Sequence, residues 1–332
     1  PKTMLPTDPK NIWMEGIGLI GLGANAKAAS IAGDLVVQNA RVRAIGEDAG
    51  GFRPISEKDL FACEYWSLEQ AKLGKGAPPK FQGKIVMITG GSGTIGFAIA
   101  KAFSKLGAQT ILVDKDEIAL KESVAKLGVG HKYFPIDVTH SDAANQAMLA
   151  AINNFGGLDI LISNAGAAHA GPMLGISNEE LRNAFELNFF SHYSFSTEAA
   201  KILKDQNRGG QILFNISKQA VNPGKNFGAY GLPKATTFFL MRQLALELGS
   251  DGIRVNGINA DRIRSGLLTD DFISSRAKSR GVSESEYMAG NLLNKEVTAE
   301  HVADAFTALA CAESTTGHVM TVDGGNIEAS LR

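Results

Sequence analysis

The sequence predicts an α/β fold, a doubly wound seven-stranded parallel sheet over residues 81–332, with an N-terminal appendage over residues 1–80. Two observations support this prediction. From residue 84 onward, short β-rich apolar runs alternate with longer segments of helical spacing, whereas the first 80 residues lack this rhythm. Because alternating strands and helices build a parallel sheet covered on both faces, the rhythm favours a doubly wound domain.

Seven apolar runs have the length and composition of strands. They span 85–88, 110–113, 133–136, 160–162, 212–214, 254–258 and 318–322. Between the first two runs, Ile99, Phe103 and Leu106 fall at i, i+4 and i+7, which predicts an amphipathic helix lying on the sheet. Farther along, Ser177 precedes Glu180 by three positions, a capping-box spacing that starts a predicted helix running through Asn188.

Residues 1–80 contain a glycine-rich patch at 16–23, a predicted helix at 26–32 and a linker-like stretch at 74–80, where we place a domain boundary. The patch at 16–21 matches the pattern G-x-G-x-x-G. We expect close-packed backbone there rather than a nucleotide site, because no strand run precedes it and no acidic residue follows a second strand at the required spacing. The sequence starts on proline, and its first methionine is Met4. Such a start is more typical of a piece of a longer polypeptide than of a natural beginning.

The composition argues against several classes of partner. A formal net charge of -1 leaves no excess to hold a nucleic-acid backbone or an anionic membrane surface. No apolar run approaches the roughly 18 residues of a membrane span, and no secretion signal is visible, so we expect a soluble chain. Cys63 and Cys311 stand apart without metal-ligand spacing, which predicts no metal site and favours the cytoplasm.

A glycine-rich turn directly follows the first predicted strand and precedes the first helix. In that context glycines let backbone amides approach a pyrophosphate, and the helix N-terminus favours the anion. The alternative is a turn without a ligand. The predicted cofactor contacts here are Gly90, Ser92, Gly93, Thr94, Ile95 and Gly96.

Asp114 ends the second predicted strand, eighteen positions after Gly96. A carboxylate at this place accepts hydrogen bonds from adenosine ribose hydroxyls and repels a 2′-phosphate, so it predicts NAD rather than NADP. Lys115 softens that preference, and a strand-end aspartate facing water is the alternative.

Tyr230 and Lys234 stand four positions apart, so on a helix they project from one face. Pro233 fits within a first helical turn, which places the predicted helix start close to Tyr230. Ser217 lies thirteen positions before Tyr230 and just past the fifth strand, at the sheet edge where ligands of such folds bind. The alternatives are a surface helix pair and a strand-end serine.

Together these residues resemble the short-chain dehydrogenase/reductase family, a Rossmann-like fold, from about Lys84 to the C-terminus. The resemblance implies a homo-oligomer and a catalytic tetrad of Asn188, Ser217, Tyr230 and Lys234. It also implies cofactor contacts from Asp137, Val138, Asn164, Ala165, Gly166, Tyr230, Lys234, Ile263 and Ser265.

The chemistry follows from the residue types as well. A tyrosine with an ordinary pKa near about 10 is a poor base at neutral pH. A lysine ammonium about 4 Å away, at an effective dielectric of about 20, contributes roughly 4 kcal/mol and lowers that pKa by about three units. We therefore expect Tyr230 to be the general base, Ser217 to hold the substrate oxygen and Asn188 to anchor a relay water.

The sequence departs from the family pattern at two places. Thr94 stands where the common form has a glycine, and Ala260-Asp261 replaces the usual Pro-Gly after the sixth strand. The nearby Arg262 and Arg264 give this loop an unusual charge. We expect one of them to grip a substrate carboxylate; a solvated loop is the alternative.

A narrower resemblance links the chain to bifunctional rhamnulose-1-phosphate aldolase/alcohol dehydrogenase proteins, on the segments 64–73, 227–234 and 259–268. It implies that residues 1–80 are the end of a class II aldolase domain plus a linker. It further implies NAD-dependent oxidation of lactaldehyde, as its hydrate, to lactate in rhamnose breakdown. No histidine cluster has metal-ligand spacing, so we expect no aldolase activity.

Two alternatives stay open. The chain can be an NAD(P)-linked dehydrogenase or reductase of another small polyol or sugar-derived carbonyl, or a cofactor-binding module without turnover. Under the enzymatic interpretations its partner is a small aldehyde or alcohol.

Overall fold

The computed structural model describes residues 2–73, 77–168 and 170–326. Residues 74–76 of the predicted linker lie outside these ranges. The chain divides into two compact units, Pro1–Gly83 and Lys84–Arg332.

The first unit contains a hairpin and three helices. Strands β1 (Asn11–Met14) and β2 (Gly18–Gly21) pair antiparallel, and α1 (Ala26–Asp48), α2 (Glu57–Glu64) and α3 (Ser67–Lys72) follow. Helix α1 is far longer than the predicted 26–32.

The glycine patch of this unit has a strand before it, so the prediction that none precedes it is wrong. The apolar residues of the hairpin do not alternate with polar ones, and Trp13 and Met14 are exposed. Neither strand therefore has the pattern that predicts a strand from sequence. Its glycines are nevertheless packed as expected. A Cβ at Gly21 would overlap the carbonyl oxygen of Ala29, so β2 lies against the backbone of α1.

The second unit confirms the predicted seven-stranded parallel sheet. Its strand order is β5-β4-β3-β6-β7-β8-β9, and every neighbouring pair is parallel. The strands are β3 (Ile85–Thr89), β4 (Gln109–Asp114), β5 (Lys132–Pro135), β6 (Ile160–Ser163), β7 (Gly210–Asn215), β8 (Ile253–Ala260) and β9 (Val319–Val322).

The centre of this sheet decides where a ligand fits. All five residues of β3 are buried, as expected for a strand covered on both faces. The chain leaves β3 toward β4 on one side and later returns to β6 on the other. Such a switch point opens a crevice at the carboxyl ends of β3 and β6.

The second unit also contains helices. They are α4 (Thr94–Lys105), α5 (Glu117–Leu127), α6 (Ala143–Phe155), α7 (Asn178–Phe185), α8 (Ser191–Gln206), α9 (Gly228–Leu248), α10 (Asp270–Arg280), α11 (Glu284–Met288) and α12 (Ala299–Cys311). On α4, Ile99 and Phe103 are fully buried, which matches the predicted apolar face.

The helix around Asn188 is interrupted. The predicted capping box of Ser177 and Glu180 starts α7, but the regular helix ends at Phe185. Residues Glu186–Phe190 form a π-helical turn before α8 begins. Such turns insert an extra residue into a helix and are frequent at functional sites.

Helix α9 starts earlier than predicted. It begins at Gly228, which makes Pro233 its sixth residue rather than a member of the first turn. Proline has no amide hydrogen for the carbonyl of Ala229 one turn back, yet the helix runs on to Leu248. Tyr230 is its third residue and is buried.

Within the three described ranges, no helix is both long and apolar enough to cross a bilayer. Nor does any group of three or more His, Cys, Asp or Glu side chains in those ranges have the arrangement of a metal site.

Candidate active site

A cavity of about 960 Å³ opens at the carboxyl edge of the seven-stranded sheet. Its wall contains most of the residues that the sequence predicts for the site: Gly90, Gly93, Thr94, Ile95, Gly96, Asp114, Asp137, Val138, Asn164, Ala165, Gly166, Ser217, Tyr230, Lys234, Ile263 and Ser265. Ser92 and Asn188 do not line it. Both contact residues that do.

The glycine-rich turn after β3 has the shape of a phosphate cradle. Gly90 has a φ of 64°, and a Cβ there would lie 3.0 Å from the Cα of Ala165. A Cβ at Gly96 would overlap the carbonyl oxygen of Gly90. Helix α4 starts after Gly93, which has no side chain to cap the first-turn amides. Those amides are the groups that bind a pyrophosphate, so the turn fits a dinucleotide.

Asp114 is held at the cavity wall by hydrogen bonds. The Ser92 hydroxyl donates to its Oδ2 at 2.7 Å, and the Lys115 amide donates to its Oδ1 at 2.8 Å. Ser92, which does not line the cavity itself, therefore fixes the orientation of the Asp114 carboxylate.

Asp137 follows β5 and is fixed in the same way. Its Oδ1 accepts the Thr139 amide at 2.9 Å and the Thr139 hydroxyl at 2.7 Å. These hydrogen bonds lower the pKa of the Asp137 carboxyl, so it is ionised at neutral pH. Val138 beside it is buried in the cavity wall.

Asn164 ties the ends of three strands together. Its Nδ2 donates to the Thr89 carbonyl at 2.9 Å, and its backbone amide donates to the Thr89 hydroxyl at 2.9 Å. Its Oδ1 accepts from Asn215 Nδ2 at 2.8 Å. The carboxyl ends of β3, β6 and β7 thus form a rigid floor for the cavity.

Asn188 lies behind the loop that follows β6. Its Nδ2 donates to the carbonyls of Ala167 and Ala184 at 3.0 and 3.1 Å, and its Oδ1 accepts the Ala167 amide at 3.3 Å. Its backbone carbonyl accepts the Thr237 hydroxyl at 2.7 Å. The side chain holds the loop in place and does not reach the cavity.

Ser217 and Tyr230 meet in the cavity. Ser217 lies two residues beyond the end of β7, and its hydroxyl hydrogen-bonds to the Tyr230 side chain. Burial raises the pKa of the Tyr230 phenol to about 12, while the hydrogen bond from Ser217 acts in the opposite direction. A substrate hydroxyl that reaches these two oxygens meets a donor and an acceptor together.

Lys234 lies one turn farther along α9 and is buried. Its Nζ donates to the Asn215 carbonyl at 3.0 Å and lies 5.9 Å from the centre of the Tyr230 ring. Burial lowers its pKa to about 7. The expectation that the lysine lowers the tyrosine pKa is not met here, because burial penalises the charged form of both groups.

His192 is a buried neighbour of Lys234 that the sequence argument missed. Its Nε2 is 3.3 Å from Lys234 Nζ, and its Nδ1 is 2.6 Å from the Ser163 hydroxyl. Burial, and secondly the charge of Lys234, lower the pKa of this imidazole well below its usual value, so it is neutral. When Lys234 is protonated, its ammonium only donates, so Nε2 is then the acceptor and Nδ1 carries the hydrogen.

The two arginines near β8 have different surroundings from those expected. Arg264 pairs with Glu296 at 2.8 Å and with Asp270 at 2.5 Å and does not line the cavity, so the idea that it grips a substrate is wrong. Arg262 lines the cavity with a φ of 52°. It donates to the Tyr287 carbonyl at 2.7 Å, a bond that holds this unfavourable backbone conformation.

Comparison with known proteins agrees with this geometry. The profile of a family described as enoyl-(acyl carrier protein) reductase matches residues 91–326. Borneol dehydrogenase, mitochondrial, from Lavandula x intermedia is 31% identical over 255 residues, which are 74% of this chain and 91% of the relative. The fold and the cavity define an oxidoreductase with a nicotinamide dinucleotide site. The chain belongs to the short-chain dehydrogenase/reductase family.

Solved structures show the same architecture. L-Sorbose reductase from Gluconobacter frateurii, complexed with NADPH and L-sorbose, has a TM-score of 0.69 and 27% identity over 75% of this chain and 98% of its own. The 3-ketoacyl-(acyl-carrier-protein) reductase from Brucella melitensis, complexed with NADH, has a TM-score of 0.65 and 25% identity. The match covers 73% of this chain and 98% of the reductase.

The first unit has a separate match. Residues 1–73 match the profile "Aldolase class II, second domain". The uncharacterized oxidoreductase YuxG of Bacillus subtilis (strain 168) is 32% identical over 332 residues, covering 96% of this chain. The chain spans 48% of the length of that relative.

Proposed function

We propose that the chain is an NAD-dependent dehydrogenase that oxidises a small aldehyde, taken as its hydrate, to the carboxylate, with lactaldehyde as the first candidate. The observation that carries this proposal is the meeting of the Ser217 hydroxyl and the Tyr230 phenol in one cavity with the glycine cradle. The match of residues 1–73 to an aldolase domain supports the choice of lactaldehyde, since an aldolase that cleaves a deoxysugar phosphate releases this aldehyde.

The preference for NAD over NADP rests on Asp114. The glycine turn would hold the pyrophosphate, and the Asp114 carboxylate, kept in place by Ser92, would accept the adenosine ribose hydroxyls. A 2′-phosphate in the same place would meet a negative charge. Asp137 and Val138 would flank the adenine, and Ile263 and Ser265 the nicotinamide.

The catalytic side chains then have distinct tasks. When bound, the nicotinamide supplies the hydride acceptor, so the hydrate carbon loses a hydride and one hydroxyl proton and becomes a carboxylic acid. Ser217 holds the substrate oxygen. Tyr230, whose phenol is protonated at neutral pH, passes its own proton on as it takes the hydroxyl proton of the substrate. Lys234, with a pKa of about 7, is the buried group that takes up the released proton near neutral pH. Asn188 keeps the loop at Ala167 in position from behind.

The test is NADH formation by the purified chain with L-lactaldehyde and a panel of small polyols. We expect Tyr230→Phe to lower kcat by about 10²–10⁴-fold, the usual share of a general base, while NADH binding is retained. Tyr133→Phe, a tyrosine on β5 that does not line the cavity, is the control and should keep full activity. The proposal fails if Tyr230→Phe keeps most of the turnover, and lactaldehyde is the wrong substrate if only polyols react.

A further inference from the structure

We infer that Arg276 is the binding site for an anionic oxygen group, a carboxylate or a phosphate, on the molecule that reacts in this cavity. The inference rests on the proposed function and adds a substrate class to it. Neither the family motifs nor the glycine turn involve this residue.

Among the described residues, none accepts a hydrogen bond from the guanidinium of Arg276. Arg276 lies on α10 and lines the cavity. Its Nε is buried without a hydrogen bond, and no ion pair joins it to another residue within the described ranges. Leaving a buried donor unsatisfied costs free energy, and the cost is larger for a charged group. A ligand that supplies the acceptor removes this cost.

Aromatic rings fix where this guanidinium lies. Its central carbon is 5.8 Å from the centre of the Phe227 ring, and Phe227 packs edge-to-face on Phe272 at 5.8 Å. The Phe227 carbonyl accepts the Tyr230 amide at 3.1 Å. Arg276 therefore contacts the N-terminal end of the helix that carries the tyrosine, on the substrate side of the cavity.

The charges around Arg276 leave a positive excess. Asp261 is shared by Lys218, at 3.9 Å, and Arg262, at 3.5 Å. The other carboxylates among the described lining residues, Asp114 and Asp137, belong to the predicted adenosine end. Lys225 and Arg280 add further positive charge to the cavity wall. Such a wall concentrates anions in the cavity.

An arginine suits this task by its shape. Its planar fork of donors matches the oxygens of a carboxylate or a phosphate. The anionic group has two possible sources: the carboxylate formed at the reacting carbon when an aldehyde hydrate is oxidised, or a group that the substrate already carries.

Binding is tested first, without turnover, by thermal melting of the full chain saturated with NAD. The anionic probes are L-lactate and sn-glycerol 3-phosphate, and the neutral analogues are L-1,2-propanediol and glycerol. We expect at least one anion, and neither neutral analogue, to raise Tm. Arg276→Gln should abolish this rise, whereas Lys278→Gln, an exposed change on the same helix outside the cavity wall, should keep it. Equal shifts in Arg276→Gln and the parent chain overturn the inference, and so does the absence of any shift in the parent.

Kinetics then separate the two sources. If the substrate carries the anion, Arg276→Gln raises KM for anionic substrates by tenfold or more and leaves neutral ones unchanged. If the anion is the product carboxylate, the variant weakens inhibition by L-lactate by tenfold or more and leaves KM for lactaldehyde unchanged. An unchanged KM together with unchanged inhibition overturns the inference.

The two proposals fail separately. If anions raise Tm but the chain oxidises none of the substrates, the proposed function is rejected and the anion site is retained. If the chain turns over substrate but anions do not raise Tm, the anion site is rejected and the proposed function is retained.

Discussion

Lys234 shows how far a single buried residue departs from its behaviour in water. Burial lowers its pKa from 10.5 to about 7. Between those two values the unfolded chain holds a proton at this lysine that the folded chain has lost. Stability therefore rises with pH across this window, because the unfolded state binds more protons.

We expect this rise to be absent from Lys234→Met. Urea unfolding of both proteins at several pH values between about 7 and 9.5 gives the measurement. The unfolding free energy of the parent chain relative to the variant should increase by up to about 1.4 kcal/mol per pH unit, the value for one proton. Parallel curves for the two proteins would show that the lysine keeps an ordinary pKa in the folded chain.

Residues with a motif around them were predictable, and residues defined by contacts were not. Ser217, Tyr230 and Lys234 have fixed spacings, and the structure brings all three to the cavity wall. His192 and Arg276 carry no pattern beyond their residue type. His192 becomes significant only because the strand order brings Ser163 beside it, and Arg276 only because it lies over Phe227.

At the scale of elements, the turn between β3 and α4 depends on one close backbone approach. A Cβ at Gly96 would overlap the Gly90 carbonyl oxygen and lie 2.9 Å from its carbon. Gly96→Ala must therefore open the turn, which we expect to cost at least about 2 kcal/mol, the scale of overpacking. For a unit of this size that lowers Tm by at least about 4 °C.

Gly93→Ala is the matched control for this change. Its added Cβ would meet nothing closer than the Gly90 carbonyl oxygen at 3.4 Å, and its φ of −71° suits alanine. We expect a loss of no more than about 1 kcal/mol, from the N-cap position. Calorimetry of both variants without added nucleotide makes the comparison, and equal Tm values would refute the steric argument.

The elements of the second unit were predictable because burial on both faces forces continuous apolar runs, as in β3 and β4. The same logic fails for the hairpin of β1 and β2, which has little buried surface. It also fails for the π-helical turn at Glu186–Phe190, since one extra residue in a helix leaves the apolar spacing almost unchanged.

At the scale of the whole molecule, α9 exposes a row of apolar side chains. Leu232, Phe239 and Leu246 are seven residues apart, on one helix face, and are 47%, 67% and 81% exposed. Large apolar side chains exposed along one helix face are typical of a surface that another protein covers. This supports the proposal, drawn from the family resemblance, that the chain forms a homo-oligomer.

We expect Leu246→Glu to shift the assembly toward the monomer. A charge in an apolar interface is costly unless it is paired. Sedimentation velocity of the parent chain and the variant measures the change, with Glu247→Gln as a control that leaves the row intact. A parent chain that sediments as a monomer at all concentrations would contradict the prediction.

The π-helical turn has a consequence for how the chain tolerates change in length. Regular α-helix advances about 100° per residue. The wide turn at Glu186–Phe190 absorbs its one extra residue locally, so deleting one residue there would restore regular winding and leave α7 and α8 in register. Deleting two residues would rotate α7 relative to α8 by that angle and separate Asn188 from the Ala184 carbonyl on α7. This short stretch is thus a place where the register of the chain, more than the identity of its side chains, is under constraint.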